Sequence, residues 1–223
     1  MTSTTGRRAA LALLIAAMTG CASTSHGAAS TVTPAPAKPA AQSSTTAAVL
    51  NATPHWTPAD AEFMTGMIGH HAQAVLMAGW APTHGAGQAV KGLCERIVVG
   101  QRDEIALMQR WLREWKQPVP EADASMDMMP GMEHMLMPGM LTADQLNQLN
   151  HATGSEFDQM FLAFMIRHHQ GALIMVKKLI ETPGGARDDA IFKFVSDMNA
   201  DQTTEINRMN LMLAGIPTGA TSP

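Results

Sequence analysis

Two pairs of adjacent histidines carry the chemistry that stands out in this 223-residue sequence. Each pair follows a Met-Ile dipeptide, so a methionine lies four residues before the second histidine. On a helix, side chains three or four residues apart share a face, which brings that thioether beside an imidazole. Thioether sulfur and imidazole nitrogen suit Cu(I) or Ag(I), whereas magnesium and calcium prefer oxygen ligands. The candidate metal ligands are Met67, His70, His71, Met165, His168 and His169.

The same residue types also have ordinary structural roles. Methionine at helical spacing usually fills a core, and an interior histidine is often a satisfied structural group. Adjacent helical positions point about 100° apart, so one helix cannot aim both histidines at one point. Which histidine of each pair binds therefore stays open. Core packing is the expected role of Met64, Met77, Met160, Met175 and Met209.

The histidine pairs belong to an internal repeat. Residues 63–78 overlay residues 161–176 at an offset of 98, with seven of the sixteen positions identical. A second motif, Gln-x-x-Glu-Ile-x-x-Met, occurs at 101–108 and again at 202–209. A repeat of this length indicates one structural unit used twice.

Capping and helix-breaking residues define the elements of that unit. Long helices are predicted over 58–80, 86–116, 155–181 and 187–214, and a short helix opens at Thr142. No stretch alternates with period two, so no sheet is expected. The sequence therefore predicts an all-α fold over 57–216. Its two repeated hairpins form a four-helix bundle, joined by a crossover over 118–141.

Polar side chains on the second helix of each hairpin are candidates to orient the histidines. Glu104 and Glu205 would be costly to bury without partners. They either hydrogen-bond the imidazoles, as residues behind a metal ligand do, or form salt bridges to Arg or Lys. Gln101 and Gln202 share their stripes. Cys94 lies near the first stripe, as a small core residue or a ligand.

The crossover is rich in methionine and contains Met-Pro-Gly-Met twice. Proline and glycine prevent a long helix there, and a non-periodic loop has little need of core-filling side chains. Three roles are open: a soft-metal-binding strand, a lid packed over the bundle, and a sacrificial target for oxidants. Its candidate ligands are Met126, Met128, Met129, Met132, His134, Met135, Met137 and Met140.

The N-terminal residues predict export. Residues 1–20 combine a basic start with an apolar run and end in a small residue before Cys21, which is typical of a signal peptide. The end of this segment resembles a bacterial lipobox, so Cys21 is expected to be lipidated. An ordinary secretory signal is the alternative. Residues 21–56, rich in Ala, Ser, Thr and Pro, read as a flexible tether. We therefore expect an exported protein, periplasmic or on the cell surface, anchored to a membrane by lipid.

The motif Asp-x-x-Phe-x-x-x-Met-Ile-x-His-His-x-x-Ala-x-x-Met, followed by Gln-x-x-Glu-Ile-x-x-Met and present in two copies, resembles the bacterial domain-of-unknown-function 305 family. The resemblance covers about 58–214. It implies a ferritin-like four-helix fold, and similar exported members bind copper or silver. It places Met67, His71, Met165, His169 and the crossover methionines on the metal surface. The first copy departs from the family pattern by carrying glycine at 66 and 69.

Three functions compete on this sequence. The first is an exported Cu(I)/Ag(I)-binding protein that sequesters the ions or passes them to copper-handling proteins, without an organic cofactor. The second is a ferritin-like di-metal oxidoreductase, whose usual Glu-x-x-His motif is absent from the sequence. The third is a metal-free helical interaction module. No catalytic residue is predicted. A net charge of −4 without a basic stripe argues against nucleic-acid binding.

Overall fold

The computed structural model describes residues 55–124 and 136–216, and within these ranges it contains helices and no strand. The all-α fold class is confirmed, and each predicted long helix lies within two residues of its observed bounds. The predictions made for residues 1–54, including lipidation of Cys21, lie outside the described residues. The helices are α1 (Pro58–Gly79), α2 (Gln88–Glu114), α3 (Ala143–His151), α4 (Gly154–Glu181) and α5 (Asp189–Ala214).

Local sequence explains where the helices begin. Pro58 occupies the first turn of α1, where its missing N–H costs nothing. Thr142 and Gln145 exchange side chain-to-backbone hydrogen bonds of 3.1 and 3.2 Å, which forms the predicted capping box of α3. Asp188 accepts from the first backbone N–H groups of α5. Trp56, assigned to the tether, packs edge-on against Trp111 of α2, with 5.6 Å between ring centroids.

The helices pair as two hairpins, α1 with α2 and α4 with α5, and the hairpins meet through α1 and α4. Buried apolar residues form two clusters. One joins the C-terminal half of α1 to the N-terminal halves of α2 and α4. The other joins the N-terminal half of α1 to the C-terminal halves of α2 and α4. Between the clusters, each of these helices contributes polar residues, and so does α5, which creates a polar layer across the middle of the core.

Two aspartates connect the hairpins reciprocally. Asp60 in the first turn of α1 accepts a 2.7 Å hydrogen bond from the N–H of Ala186, which precedes α5. Asp158, the equivalent residue of α4, accepts a 3.0 Å bond from the N–H of Gly87 at the start of α2. The first helix of each hairpin thus fixes the start of the second helix of the other hairpin.

Among the described helices, none combines the length and apolarity needed to cross a bilayer.

Candidate metal centre

The four repeated histidines lie together in the polar layer, each no more than 1% exposed. The first histidine of each pair faces its counterpart across the α1–α4 interface: the rings of His70 and His168 are 3.9 Å apart between centroids, tilted by 39°. The second histidine of each pair points toward the second helix of its own hairpin. The two histidines of a pair thus have different neighbours, as the 100° between adjacent helical positions requires.

Each second histidine is bonded to a glutamate. His71 Nε2 lies 2.7 Å from Glu104 Oε2, and His169 Nε2 lies 2.6 Å from Glu205 Oε2. A carboxylate oxygen accepts, so Nε2 carries the hydrogen, and Nδ1 of each ring has no hydrogen-bond partner among the described residues. Of the two roles open for these glutamates, the structure shows contact with imidazole rather than with Arg or Lys. Such a contact fixes the tautomer and the direction of the ring.

Five buried ring nitrogens of this layer have no hydrogen-bond partner within the described part of the chain. They are Nδ1 of His70, His71 and His169, and both nitrogens of His168. A buried polar atom without a partner costs about 1–3 kcal/mol, and native structures contain few of them. Several such atoms in one layer indicate a site with a role beyond packing.

The central imidazoles are neutral at pH 7. Burial lowers the pKa of His70 to about 3; the neighbouring His71 and His169 add to this shift, and the Pro138 carbonyl opposes it. The pKa of His168 is also held well below its ordinary value, first by burial and then by the other histidines. Neutral imidazoles present lone pairs for which protons do not compete at neutral pH.

Buried methionines lie one helical turn before the glutamate-bonded histidines. Met67 and Met165 are fully buried, one in each apolar cluster, four residues before a glutamate-bonded histidine. Three of the five methionines expected in the core, Met64, Met77 and Met209, are buried, while Met160 and Met175 are partly buried. The core thus contains thioethers on both sides of the imidazole layer.

The end of the crossover lies against α1 and α4. His70 Nε2 donates to the Pro138 carbonyl at 3.0 Å, and the Gln73 amide exchanges 2.7 and 3.1 Å hydrogen bonds with the backbone of Leu141. A Cβ on Gly171 would lie 1.8 Å from the Pro138 oxygen, so glycine is required for this approach. Met137 lines a pocket with Met175.

Met140 is buried, so among the crossover candidates the structure places Met137 and Met140. The others lie outside the described residues: Met126, Met128, Met129, Met132, His134 and Met135.

Sequence reasoning missed the contacts of Gln73, Pro138 and Gly171. One signal was available, because the repeat aligns Gln73 with Gly171. The two copies of the repeat therefore differ at this position, with a polar residue in the first copy and glycine in the second. The crossover segment, which is not repeated, packs against both positions.

Gln101 and Gln202, the remaining polar candidates, are each 3% exposed and lie at equivalent positions of α2 and α5. Both line a groove of about 260 Å³ together with Glu104 and Glu205. Cys94 is apart from them in an apolar cluster. Burial, with help from Asp158, raises the pKa of its thiol to about 12.

Within residues 55–124 and 136–216, no three His, Cys, Asp or Glu side chains are arranged to hold a metal ion together. The polar layer and the apolar clusters beside it contain imidazole and thioether side chains, which are donor types that suit copper.

Fold and site together define an all-α protein built from a duplicated hairpin, with histidine and methionine donors in its core. Over residues 60–213 the chain matches the family described as Domain of unknown function (DUF305), and it belongs to that family. No curated protein matches the chain.

Several solved structures are similar. A predicted secreted DUF305 protein from Streptomyces coelicolor is 29% identical, with a TM-score of 0.60, over 73% of this chain and 97% of that one. A DUF305 fragment from Deinococcus radiodurans is 27% identical, with a TM-score of 0.61, over 71% and 97%. The Cu(II)-bound form of CopM is 31% identical, with a TM-score of 0.56, over 70% and 95%. CopM has also been solved in Cu(I)-bound and Ag-bound forms.

Proposed function

We propose that this protein is an exported Cu(I)- and Ag(I)-binding protein that sequesters these ions or passes them on. The observation that carries the proposal is the layer of four buried imidazoles, in which five ring nitrogens lack hydrogen-bond partners among the described residues. Burial lowers the pKa of the two central imidazoles, His70 and His168. Methionines on both sides supply thioethers. The copper- and silver-bound forms of CopM, a similar structure, support the same choice of metal.

The glutamate-bonded histidines are the proposed primary ligands. Since Nε2 of His71 and of His169 donates to a carboxylate, Nδ1 is the nitrogen that would bind the ion. A carboxylate behind a ligating imidazole raises its basicity and holds its orientation. Met67 and Met165 would complete the two sites. The facing rings of His70 and His168 belong to the same layer.

The crossover methionines are proposed to pass bound ions on to a copper-handling partner. Thioethers are neutral, weak ligands, so a strand of them would favour transfer over permanent storage. Export, lipidation of Cys21 and a tether over 21–56 would keep this surface outside the cytoplasm. No catalytic step is needed for this function.

Metal titration tests the proposal. The purified protein is titrated with Cu(I) under reducing conditions, and with Ag(I), against a competing chelator, and the bound ions are counted. His71→Ala and His169→Ala should each lower the number of tightly bound ions while helicity persists. His151→Ala is the matched control, because this exposed histidine of α3 is bonded to the Asn147 carbonyl of its own helix.

The same titration separates the alternatives. Replacing all seven crossover methionines by leucine should also weaken the binding of Cu(I) and Ag(I), or slow the transfer of bound ions. Preferential uptake of iron, with an oxo-bridged absorption band, would instead favour a di-metal oxidoreductase. A protein that binds neither copper, silver nor iron would be an interaction module.

A further inference from the structure

The groove between α2 and α5 leads to the imidazole layer. Its lining includes Glu104 and Glu205, each of which has one carboxylate oxygen on a buried histidine. The histidines are at most 1% exposed, whereas the side chains of these glutamates are 22% and 25% exposed. Solvent in the groove therefore contacts the carboxylates that hold His71 and His169.

Two buried amides in the groove point to a ligand. Gln101 and Gln202 are each 3% exposed, and their Oε1 atoms have no hydrogen-bond partner in the part of the chain that the structure describes. Amide oxygens buried without partners are costly. A cation in the groove would give both oxygens a partner, together with the two glutamates.

Charged side chains of both signs line the groove. Asp201 belongs to the lining, and partial burial together with the nearby Glu104, Glu205 and Asp197 raises its pKa. Two cationic side chains, Arg96 and Arg208, line the same groove. Carboxylates attract an approaching cation, and the arginines oppose it, so the balance between them sets the local potential.

We propose that this groove is the route by which cations reach the buried imidazoles, with Asp201, Gln101 and Gln202 as a transient binding station on the way. The inference rests on the proposed function. Carboxylate and amide oxygens are poor ligands for a soft ion, so the station holds the ion weakly and releases it inward. The imidazoles and thioethers then bind it tightly.

Kinetics of Ag(I) uptake test the route. The whole protein is mixed rapidly with Ag(I), and the rate of uptake and the equilibrium affinity are measured separately. Asp201→Asn should slow uptake by about threefold, since charges lining a cleft act mainly on association rate. Arg208→Gln should speed uptake by a similar factor. Both changes should leave the affinity near that of the unsubstituted protein, and added salt should shrink both effects.

Asp189→Asn is the matched control, because it removes the same charge from an exposed site in the first turn of α5. A protein that binds Ag(I) normally, with uptake rates unchanged in Asp201→Asn and Arg208→Gln, would overturn the route alone. Slowing by Met137→Leu in place of Asp201→Asn would also overturn it, because uptake would then follow the crossover. Failure of the unsubstituted protein to bind Ag(I) would overturn the proposed function and the route together.

Discussion

The two hairpins make equivalent contacts within themselves, but they differ where the crossover segment over 136–141 packs against them. His71 with Glu104 and His169 with Glu205 are nearly identical pairs. His70, however, donates to the Pro138 carbonyl, whereas neither ring nitrogen of His168 has a partner within the described ranges. A duplicated sequence therefore builds a symmetric layer of imidazoles, and a single unrepeated strand makes it asymmetric.

This asymmetry has a physical cause. The end of the crossover is a single segment that contacts both α1 and α4. It cannot make the same contact with both helices, because its backbone presents different atoms to each. The first hairpin holds the strand with the side chain of Gln73, and the second admits its backbone through Gly171. His70 is consequently fixed in one tautomer, while no hydrogen bond within the described part of the chain fixes the ring of His168.

We expect the largest effect on stability from a substitution that fills the space at Gly171, where the crossover backbone packs closely against α4. In Gly171→Ala, the new Cβ would lie 1.8 Å from the Pro138 oxygen and 2.7 Å from Gly139 Cα. Backbone atoms cannot move aside cheaply, so we expect a loss of unfolding free energy of about 3 kcal/mol, at the upper end of overpacking effects. Urea denaturation measures it. Gly100→Ala, a helical glycine with open space around its Cβ, should be neutral or stabilising.

That contact could not be predicted from the sequence, unlike the helices around it. Helix bounds follow from local signals such as Pro58 and the Thr142 capping box, which act within a few residues. The approach of Pro138 to Gly171 depends on how a loop crosses two helices that are distant in sequence. An unchanged Gly171→Ala protein would show that the strand adapts more easily than this geometry implies.

The reciprocal aspartates offer a second way to break the symmetry. Asp60 is fully buried and accepts from Ala186 N, Thr57 N and Thr57 Oγ1. Among the described residues, Asp158 accepts side-chain hydrogen bonds from Gly87 N alone, at a more exposed position. We expect Asp60→Ala to cost about 3 kcal/mol, since it leaves a buried N–H without its charged acceptor. Asp158→Ala should cost about 1 kcal/mol, like the loss of an N-cap. Equal thermal-denaturation losses would contradict this difference in burial.

The histidine–glutamate contacts could be predicted from the sequence as one of two roles for the glutamates. Both members recur in register, and helical spacing places them in the same part of their hairpin. Which histidine of each pair meets a glutamate was not predictable. That choice depends on how α1 is rotated about its axis relative to α2 and α4, which distant packing contacts decide.

The imidazole layer should make stability depend on pH in the metal-free protein. An unfolded histidine takes up a proton near pH 6.5, whereas folded His70 stays neutral down to about pH 3. Between these values the unfolded state binds more protons, so stability falls as pH falls. From pH 6.5 to 5 we expect His70 to account for about 2 kcal/mol, at about 1.4 kcal/mol per pH unit.

Urea denaturation at several pH values checks this slope. His168 should add to it in the same direction, because its pKa is lowered by the same burial. His168→Gln should therefore flatten the dependence, and the exposed His151→Gln should leave it unchanged. Stability that is constant from pH 6.5 to 5 would mean that the imidazoles gain protons without unfolding.

We expect the smallest effect on stability at a position where the two hairpins have different residue types but both side chains are buried. Cys94 is buried, and the repeat aligns it with the buried Val195. With its pKa raised to about 12, the thiol stays protonated at pH 7 and is a poor soft-metal ligand. Cys94→Val should change stability by less than about 1 kcal/mol, as a swap between small buried side chains does. It should also leave the number of Cu(I) ions bound unaltered. If Cys94→Val binds one Cu(I) ion fewer in the chelator titration, Cys94 is a ligand. The two hairpins would then differ in their metal-binding residues.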